Sequence, residues 1–236
     1  MARTVSGNNF FIEHTTKMKQ DILEQIAENW LLKKEATFTK CNVRYKPSVE
    51  QLQLIDKSKR NLYSVTSDID LLAVHIDKQD EERVSAISCK SWQSGFHVSG
   101  FYHLLTNPEK DTKNHWKRFR ELVDPLWAKA FRDKIYAETL SRNFTYYIVV
   151  TKLIHRQDEE AFINCSNFIS NLSDNNVNKV KIKFLTLEQM ILDLTSAKYS
   201  TTLEATELGR MIQLIRAAGL SINKIDDKQV QKNSSR

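Results

Sequence analysis

The sequence predicts an α/β fold in which a central mixed β-sheet is flanked by helices. Two apolar runs of strand length, 69–76 and 84–89, follow each other with only a short polar stretch between them. A third run, Phe144 to Leu153, is rich in the aromatic and β-branched residues that favour strands. The segments around these runs carry apolar residues at helical spacings of three and four. Helices that alternate with hairpin strands and later strands in this order indicate a mixed α/β core.

The N-terminal part of the chain is predicted to contain a helix, a strand and a short helix. Apolar residues of 14–33 recur at spacings of three and four and so form one face of a helix. Residues 36–45 have the character of an extended strand. Ser48-Val49-Glu50-Gln51 has the form of a capping box, which predicts a helix through about Ile55.

The middle of the chain contains the first two core strands and a long helical segment. The run 69–76 is apolar almost continuously, as is typical of a strand covered on both faces. Residues 91–105 contain two glycines and are predicted to form a loop or a helix. Residues 112–142 have a helical composition, with a break expected near Pro125.

The C-terminal part is predicted to add an outer strand and three helices. Residues 157–172 return to helical spacing, and 180–185 alternate apolar with basic residues, which suits a strand with one wet face. Thr186-Leu187-Glu188-Gln189 forms another capping box, beginning a helix through residue 194. A last amphipathic helix is predicted over 203–218, with Gly219 as its C-cap.

Length and composition favour one soluble domain. The chain has 236 residues with only 5 Gly and 3 Pro, so we expect a single domain over 1–222 and a polar tail over 223–236. No apolar run approaches the roughly 20 residues of a membrane span. The N-terminus lacks a secretion signal, and three widely separated cysteines indicate reduced thiols without a zinc site. We therefore expect a cytoplasmic protein without a membrane partner.

The positive charge of the chain favours a polyanionic partner. The net charge is +6, and basic residues cluster after the second apolar run. Within this cluster, candidate nucleic-acid-binding residues are Lys113, Lys117, Arg118 and Arg120. Lys113, Lys117 and Arg120 have the spacing of one helical face, with Trp116 and Phe119 on an adjacent apolar stripe. A solvated helix anchored by its apolar side is the alternative interpretation.

Two motifs stand on the first two predicted core strands. Asp70 precedes the apolar residues Leu71-Leu72-Ala73-Val74, and the second run ends in Ser88-Cys89-Lys90. This pair resembles the signature of the PD-(D/E)XK nuclease superfamily, in which an aspartate leads a hydrophobic strand and a carboxylate stands two residues before a lysine. The chain departs from that pattern at Ser88, where the superfamily has Asp or Glu. The resemblance covers mainly residues 65–92.

The resemblance implies a restriction-endonuclease-like core with a helical insertion at about 92–142, after the second catalytic strand. It also implies a Mg²⁺-dependent DNA endonuclease of restriction or defence type, with Mn²⁺ as a substitute metal and a homodimer where both strands are cut. Asp70 would be the principal metal ligand. Lys90 would orient or help deprotonate the attacking water. Ser88 would occupy the third catalytic position.

Further carboxylates are candidates for the metal site. Asp68 would face the same side of the strand as Asp70, although a turn residue is the alternative interpretation. Asp21 or Glu24 on the first helix is a further candidate, against the alternative of a solvated surface residue. Some members of the superfamily with serine at the second motif recover the carboxylate from a glutamate on the following helix. The first acidic residues after Lys90 are Glu109, Asp111 and Glu121.

Other functions are less well supported. The six histidines form no H-E-x-x-H motif, and the chain has neither a G-x-S-x-G elbow nor a glycine-rich phosphate loop. This excludes recognisable zinc protease, serine hydrolase and NTPase motifs. Two alternatives remain open: a nuclease acting on RNA or branched DNA, and a degenerate nuclease-fold module that binds nucleic acid or a partner without cutting.

Overall fold

A five-stranded mixed β-sheet is the centre of the computed structural model, which describes residues 21–34, 36–53, 63–195 and 207–219. The strands are β1 (Thr37–Tyr45), β2 (Ser67–His75), β3 (Val84–Lys90), β4 (Phe96–His97), β5 (Phe144–Val150), β6 (Leu153–Ile154) and β7 (Val180–Thr186). The α-helices are α1 (Ile22–Leu32), α2 (Val49–Gln53), α3 (Val98–Thr106), α4 (Arg120–Val123), α5 (Pro125–Thr139), α6 (Glu159–Ile163), α7 (Ser166–Ser173), α8 (Leu187–Thr195) and α9 (Glu207–Ala217).

The sheet combines an antiparallel half with a parallel half in the order β1-β2-β3-β5-β7. Strands β1, β2 and β3 pair antiparallel, whereas β3, β5 and β7 pair parallel. The ladder between β2 and β3 ends at the pair Leu71–Ile87, so Asp70 lies just beyond the paired region. The short strands β4 and β6 form a separate parallel pair. The predicted α/β class with a mixed sheet flanked by helices is confirmed.

Helices cover both faces of the sheet. On one face, α1 and α8 bury Leu23, Trp30 and Met190 against Leu71 and Val149. On the other face, the helices between β3 and β7 contribute a larger aromatic core, whose members include Phe119, Trp127, Phe131, Phe162 and Phe168. The near-continuous apolar character of β2 and β3 is explained by this coverage on both sides. The segment predicted as a helical insertion is the connection between the parallel strands β3 and β5.

The segment 112–142, predicted to be helical with a break near Pro125, is interrupted at more places than that one. A 3₁₀ helix spans His115–Phe119, followed by α4 and, after Asp124, by α5. The Asp111 carboxylate accepts hydrogen bonds from the backbone N–H groups of Lys113 and Trp116, which holds the chain in a turn. Lys113 therefore does not share a helical face with Lys117 and Arg120, and that prediction is wrong. The break expected near Pro125 is confirmed.

The remaining elements agree closely with the predictions. Strand β7 lies at one edge of the sheet, as expected for an outer strand. Gly219 follows α9 with a φ of +76°, the left-handed conformation of a C-cap. The predicted helix residues 14–20, 54–55 and 203–206, and the predicted tail 223–236, lie outside the described residues. Within the described ranges, no helix combines the length and apolar character needed to cross a membrane.

Candidate active site

Asp70 stands where β2 and β3 diverge. Its Oδ2 accepts a hydrogen bond from the backbone N–H of Cys89 at 2.5 Å, which ties the start of β2 to the end of β3. The side chain is partly buried, and this burial raises its pKa to about 6. The negative charges of Asp68 and Glu121 raise the pKa further, while Lys90 and the Cys89 N–H oppose them. Burial is therefore the main reason that the pKa of Asp70 is raised, and the Lys90 charge is the largest effect opposing it.

Lys90 and Ser88 lie on one face of β3, because side chains two residues apart in a strand point to the same side. Lys90 Nζ donates a hydrogen bond to Ser88 Oγ at 2.7 Å. Nζ also lies 5.3 Å from the centre of the Phe119 ring. Ser88 is only 7% exposed, so its hydroxyl is a buried hydrogen-bond partner of Lys90. The structure thus brings Asp70, Ser88 and Lys90 to one place.

The two candidate carboxylates of α1 have different surroundings. Asp21 is exposed and caps α1, because its side chain accepts a hydrogen bond from the Leu23 N–H at 2.9 Å. Glu24 is partly buried, and its pKa is raised to about 7 by burial and by the negative charges of Asp70, Asp21 and Asp68. Glu24 is therefore the α1 residue that shares the electrostatic environment of Asp70. Asp68 lies beside them and is exposed.

Glu121 supplies a buried carboxylate beneath the site. It is 5% exposed and accepts hydrogen bonds from the Tyr45 hydroxyl, at 3.3 Å, and from the Tyr146 hydroxyl. Ser88 lies beside the same Tyr146 hydroxyl. Burial and the Glu121 charge raise the pKa of both tyrosines well above the usual range, so both remain hydroxyl donors. Lys90, Ser88, Tyr146, Glu121 and Tyr45 together form one polar chain across the sheet.

Glu109 and Asp111, the other two acidic residues considered as replacements for the missing carboxylate, lie away from Asp70. Glu109 is exposed in a 3₁₀ turn, and Asp111 stabilises the turn that precedes the 3₁₀ helix of residues 115–119. Sequence alone gave no signal that separates Glu121 from these two. Its position depends on the packing of α4 against β1 and β5, through tyrosines distant in the sequence.

The candidate donors are carboxylate oxygens, the kind of ligand that Mg²⁺ prefers. Asp70 interacts electrostatically with Lys90 and Asp68, and Glu24 interacts with Asp70 and Asp68. Cys89 adds no competing thiolate, because burial and the charges of Asp70 and Glu24 raise its pKa. Among the residues that the structure describes, no three His, Cys, Asp or Glu side chains form a ready-made metal cluster.

The basic candidates divide into two groups. The Arg118 guanidinium lies 5.1 Å from the Trp92 ring centre, and that of Arg120 lies 4.8 Å from the Trp127 ring centre. Both arginines flank Phe119, the ring that Lys90 contacts, and Lys117 is partly buried on the same 3₁₀ turn. Lys113 instead lines a separate cavity with His103 and His115. Only the first group is connected to the Asp70 site.

No family model, curated protein or solved structure shows significant similarity to this chain. The interpretation of the site therefore depends on its own geometry and on the motif pair that carries the resemblance.

Proposed function

We propose that this protein is a Mg²⁺-dependent endonuclease of restriction-endonuclease-like type that hydrolyses phosphodiester bonds in DNA. The observation that carries the proposal is the convergence of Asp70 and Lys90 at the diverging ends of β2 and β3. Two further carboxylates interact electrostatically with Asp70. The Asp70 charge raises the pKa of Glu24, and the Glu121 charge raises the pKa of Asp70. A cluster of carboxylates beside one lysine suits phosphodiester hydrolysis, which needs charge relief on phosphate and a positioned water.

Asp70 and Glu24 are the residues that would hold the cation, with the exposed Asp68 beside them. Asp70 Oδ2 is oriented by the Cys89 N–H, so one rotamer of the carboxylate is fixed before any ligand arrives. When bound, Mg²⁺ would polarise the phosphate and lower the pKa of a coordinated water. Burial is the main cause of the raised pKa of both carboxylates, and neighbouring negative charges add to it; a divalent charge would offset both effects.

Lys90 is the proposed catalytic cation. An ammonium group has three donors, and the hydrogen bond to Ser88 uses one of them. The other donors are then available to a phosphate oxygen or to the attacking water. Because Ser88 is buried and lies beside Tyr146, it keeps the lysine side chain directed along the sheet. Ser88 is in this proposal a positioning residue for Lys90.

Glu121 compensates for the missing carboxylate of the second motif by its charge. Both of its oxygens accept hydrogen bonds from tyrosines, so it acts through the buried polar chain rather than as a direct ligand. Its negative charge lies close enough to raise the pKa of Asp70. In this proposal Glu24 is a metal ligand, whereas Glu121 supports Lys90 and Ser88 electrostatically.

The test is cleavage of supercoiled and linear DNA by the purified full chain, with Mg²⁺, with Mn²⁺ and with EDTA. The proposal expects metal-dependent cutting that is lost in Asp70→Ala and Lys90→Ala. Lys129→Ala is the matched control, because Lys129 is an exposed lysine on α5 that forms a surface ion pair with Asp133. Cutting that persists unchanged in Asp70→Ala and Lys90→Ala would overturn this site.

A second candidate function is nucleic-acid binding without cleavage. It is favoured by one observation: the second motif carries Ser88 instead of a carboxylate. Electrophoretic mobility shifts with several DNA and RNA substrates distinguish the two proposals. Binding without metal-dependent cutting, and no gain of activity in Ser88→Asp, would favour the binding module.

A further inference from the structure

A second polar cavity lies at the opposite end of the sheet from Asp70. It has a volume of about 520 Å³ and is lined at its floor by His75, Ser85, Thr145 and Tyr147. His75 stands five residues after Asp70 on β2, which places it roughly 17 Å away along the strand. The cavity therefore shares strands with the Asp70 site but no residues, and it does not depend on the proposed nuclease function.

Three lysines converge on this cavity: Lys34 after α1, Lys78 in the β2–β3 loop and Lys183 on β7. Lys34 Nζ lies 3.7 Å from the centre of the Trp30 ring, which fixes the end of its side chain. Burial, opposed by Asp193 but reinforced by the charges of Lys183 and Lys78, lowers the pKa of Lys34 to about 8. Burial is the main cause of this lowered pKa, and both neighbouring lysines add to it.

The acidic residues of the cavity leave an excess of positive charge. Asp77 pairs with Lys78 at 3.5 Å, and Glu82 is the other carboxylate in the lining. Glu82 is thus the carboxylate of the lining that remains for Lys34 and Lys183, while Asp193 acts on Lys34 from outside the lining. The lining itself holds three lysines and two carboxylates, and this positive balance favours an added anion.

The floor of the cavity is a fixed set of hydrogen-bonding groups. His75 is 3% exposed, and its Nε2 and Nδ1 lie 2.9 Å from Ser85 Oγ and Thr37 Oγ1, respectively. Burial and the charges of Lys34 and Lys78 lower the pKa of His75 to about 4, so the ring is neutral at pH 7. A neutral ring between two hydroxyls orients Ser85 without adding charge.

We propose that this cavity binds the phosphate group of a small organic phosphate, with lysine ammonium groups on the phosphate and the Tyr147 ring against the organic part. A volume of about 520 Å³ exceeds the need of inorganic phosphate and lies in the usual range for small-ligand sites, roughly 300–1,000 Å³. Phosphate suits convergent lysines better than a monoanion does, because its charge is near −2 at neutral pH. The Tyr147 ring also packs edge-on against Trp30, at 5.9 Å between centres, and is therefore held in place.

The test is isothermal titration of the full chain with inorganic phosphate, ribose 5-phosphate and AMP at constant ionic strength. Binding of all three compounds would show that the cavity recognises the phosphate group. Tighter binding of AMP would show that the adenine base contacts the Tyr147 ring. Lys183→Gln and Lys34→Gln should each weaken binding by about tenfold or more, as expected for loss of a charged hydrogen bond. Lys129→Gln, with the same change in net charge on a distant helix, should leave the affinity unchanged.

Two outcomes would overturn the proposal. One is the absence of measurable binding for all three probes at millimolar concentration. The other is binding of equal affinity in the parent and in Lys183→Gln. Lys183 lies on an edge strand, with its ammonium 6.0 Å from the Tyr147 ring centre. Lys183→Gln should therefore fold and test the phosphate site even if Lys34→Gln does not fold.

Discussion

Replacing Asp70 by Asn should stabilise the folded protein at alkaline pH, and it should abolish the cleavage proposed above. The Asn side-chain oxygen can still accept the hydrogen bond from the Cys89 N–H, so the local geometry is retained. What the substitution removes is a partly buried negative charge, whose burial is offset by Lys90 and increased in cost by Asp68 and Glu121. Destabilised functional sites are a recurrent source of trade-offs between stability and activity.

The pH dependence follows from the direction of the pKa change. The pKa of Asp70 is raised from 3.8 to about 6 in the folded protein. The folded state therefore binds more protons than the unfolded state between about pH 4 and pH 6, and stability falls as the pH rises through that window. Full ionisation costs about 3 kcal/mol at about 1.4 kcal/mol per pH unit. Water that reaches this partly buried group lowers the cost of burying its charge, so we expect ~1–3 kcal/mol.

The assay is urea unfolding in EDTA from pH 4 to pH 8.5, comparing the parent with Asp70→Asn. The variant should match the parent near pH 4 and exceed it at pH 8 by the amount given above, which corresponds to about 2–10 °C in Tm. Asp133→Asn, an exposed aspartate on α5, serves as the control and should show no such crossover. Equal or lower stability of Asp70→Asn at pH 8, with an unchanged pH profile, would refute the electrostatic reasoning.

Three further predictions concern the same site. Millimolar Mg²⁺ should raise the Tm of the parent at pH 8 but not that of Asp70→Asn, as scanning calorimetry would show, because only the charged site gains from cation binding. Glu121→Gln should destabilise the fold by about 1–3 kcal/mol in urea unfolding, since one buried tyrosine hydroxyl loses its acceptor. Arg118→Gln with Arg120→Gln should lower DNA affinity and flatten its salt dependence in fluorescence anisotropy, whereas Lys113→Gln should do neither.

The sheet could be predicted from the sequence because its strands have a local signature. The apolar runs that became β2, β3 and β5 are nearly continuous, and burial on both faces requires that composition. The motif residues Asp70 and Lys90 came with those strands, since their positions at strand ends follow from the hairpin register. Local composition was therefore sufficient for the central elements and for the two residues placed on them.

The parts that could not be predicted depend on contacts between distant residues. At Asp111 the side-chain carboxylate accepts hydrogen bonds from backbone N–H groups in place of helical hydrogen bonds. The helical composition of the segment does not predict this turn. Glu121 is buried only because two tyrosines from β1 and β5 meet it. The cluster of His75 with Ser85 was missed for the same reason, because the two residues lie on different strands and meet only through the pairing of those strands.

The arrangement of the sheet also sets the order in which the Asp70 site is assembled during folding. Strands β2 and β3 form a hairpin, with Val74 paired to Val84, whereas β3 pairs with β5 only across the long connection that carries α3, α4 and α5. Contacts between residues close in sequence form fastest, so Asp70 and Lys90 should meet before Glu121 and its tyrosines arrive. The Glu121 charge, and the part of the burial of Asp70 that comes from elements packing late, should then act on Asp70 only after the transition state. Stopped-flow kinetics should accordingly show Asp70→Asn slowing unfolding at pH 8 while leaving the refolding rate nearly unchanged.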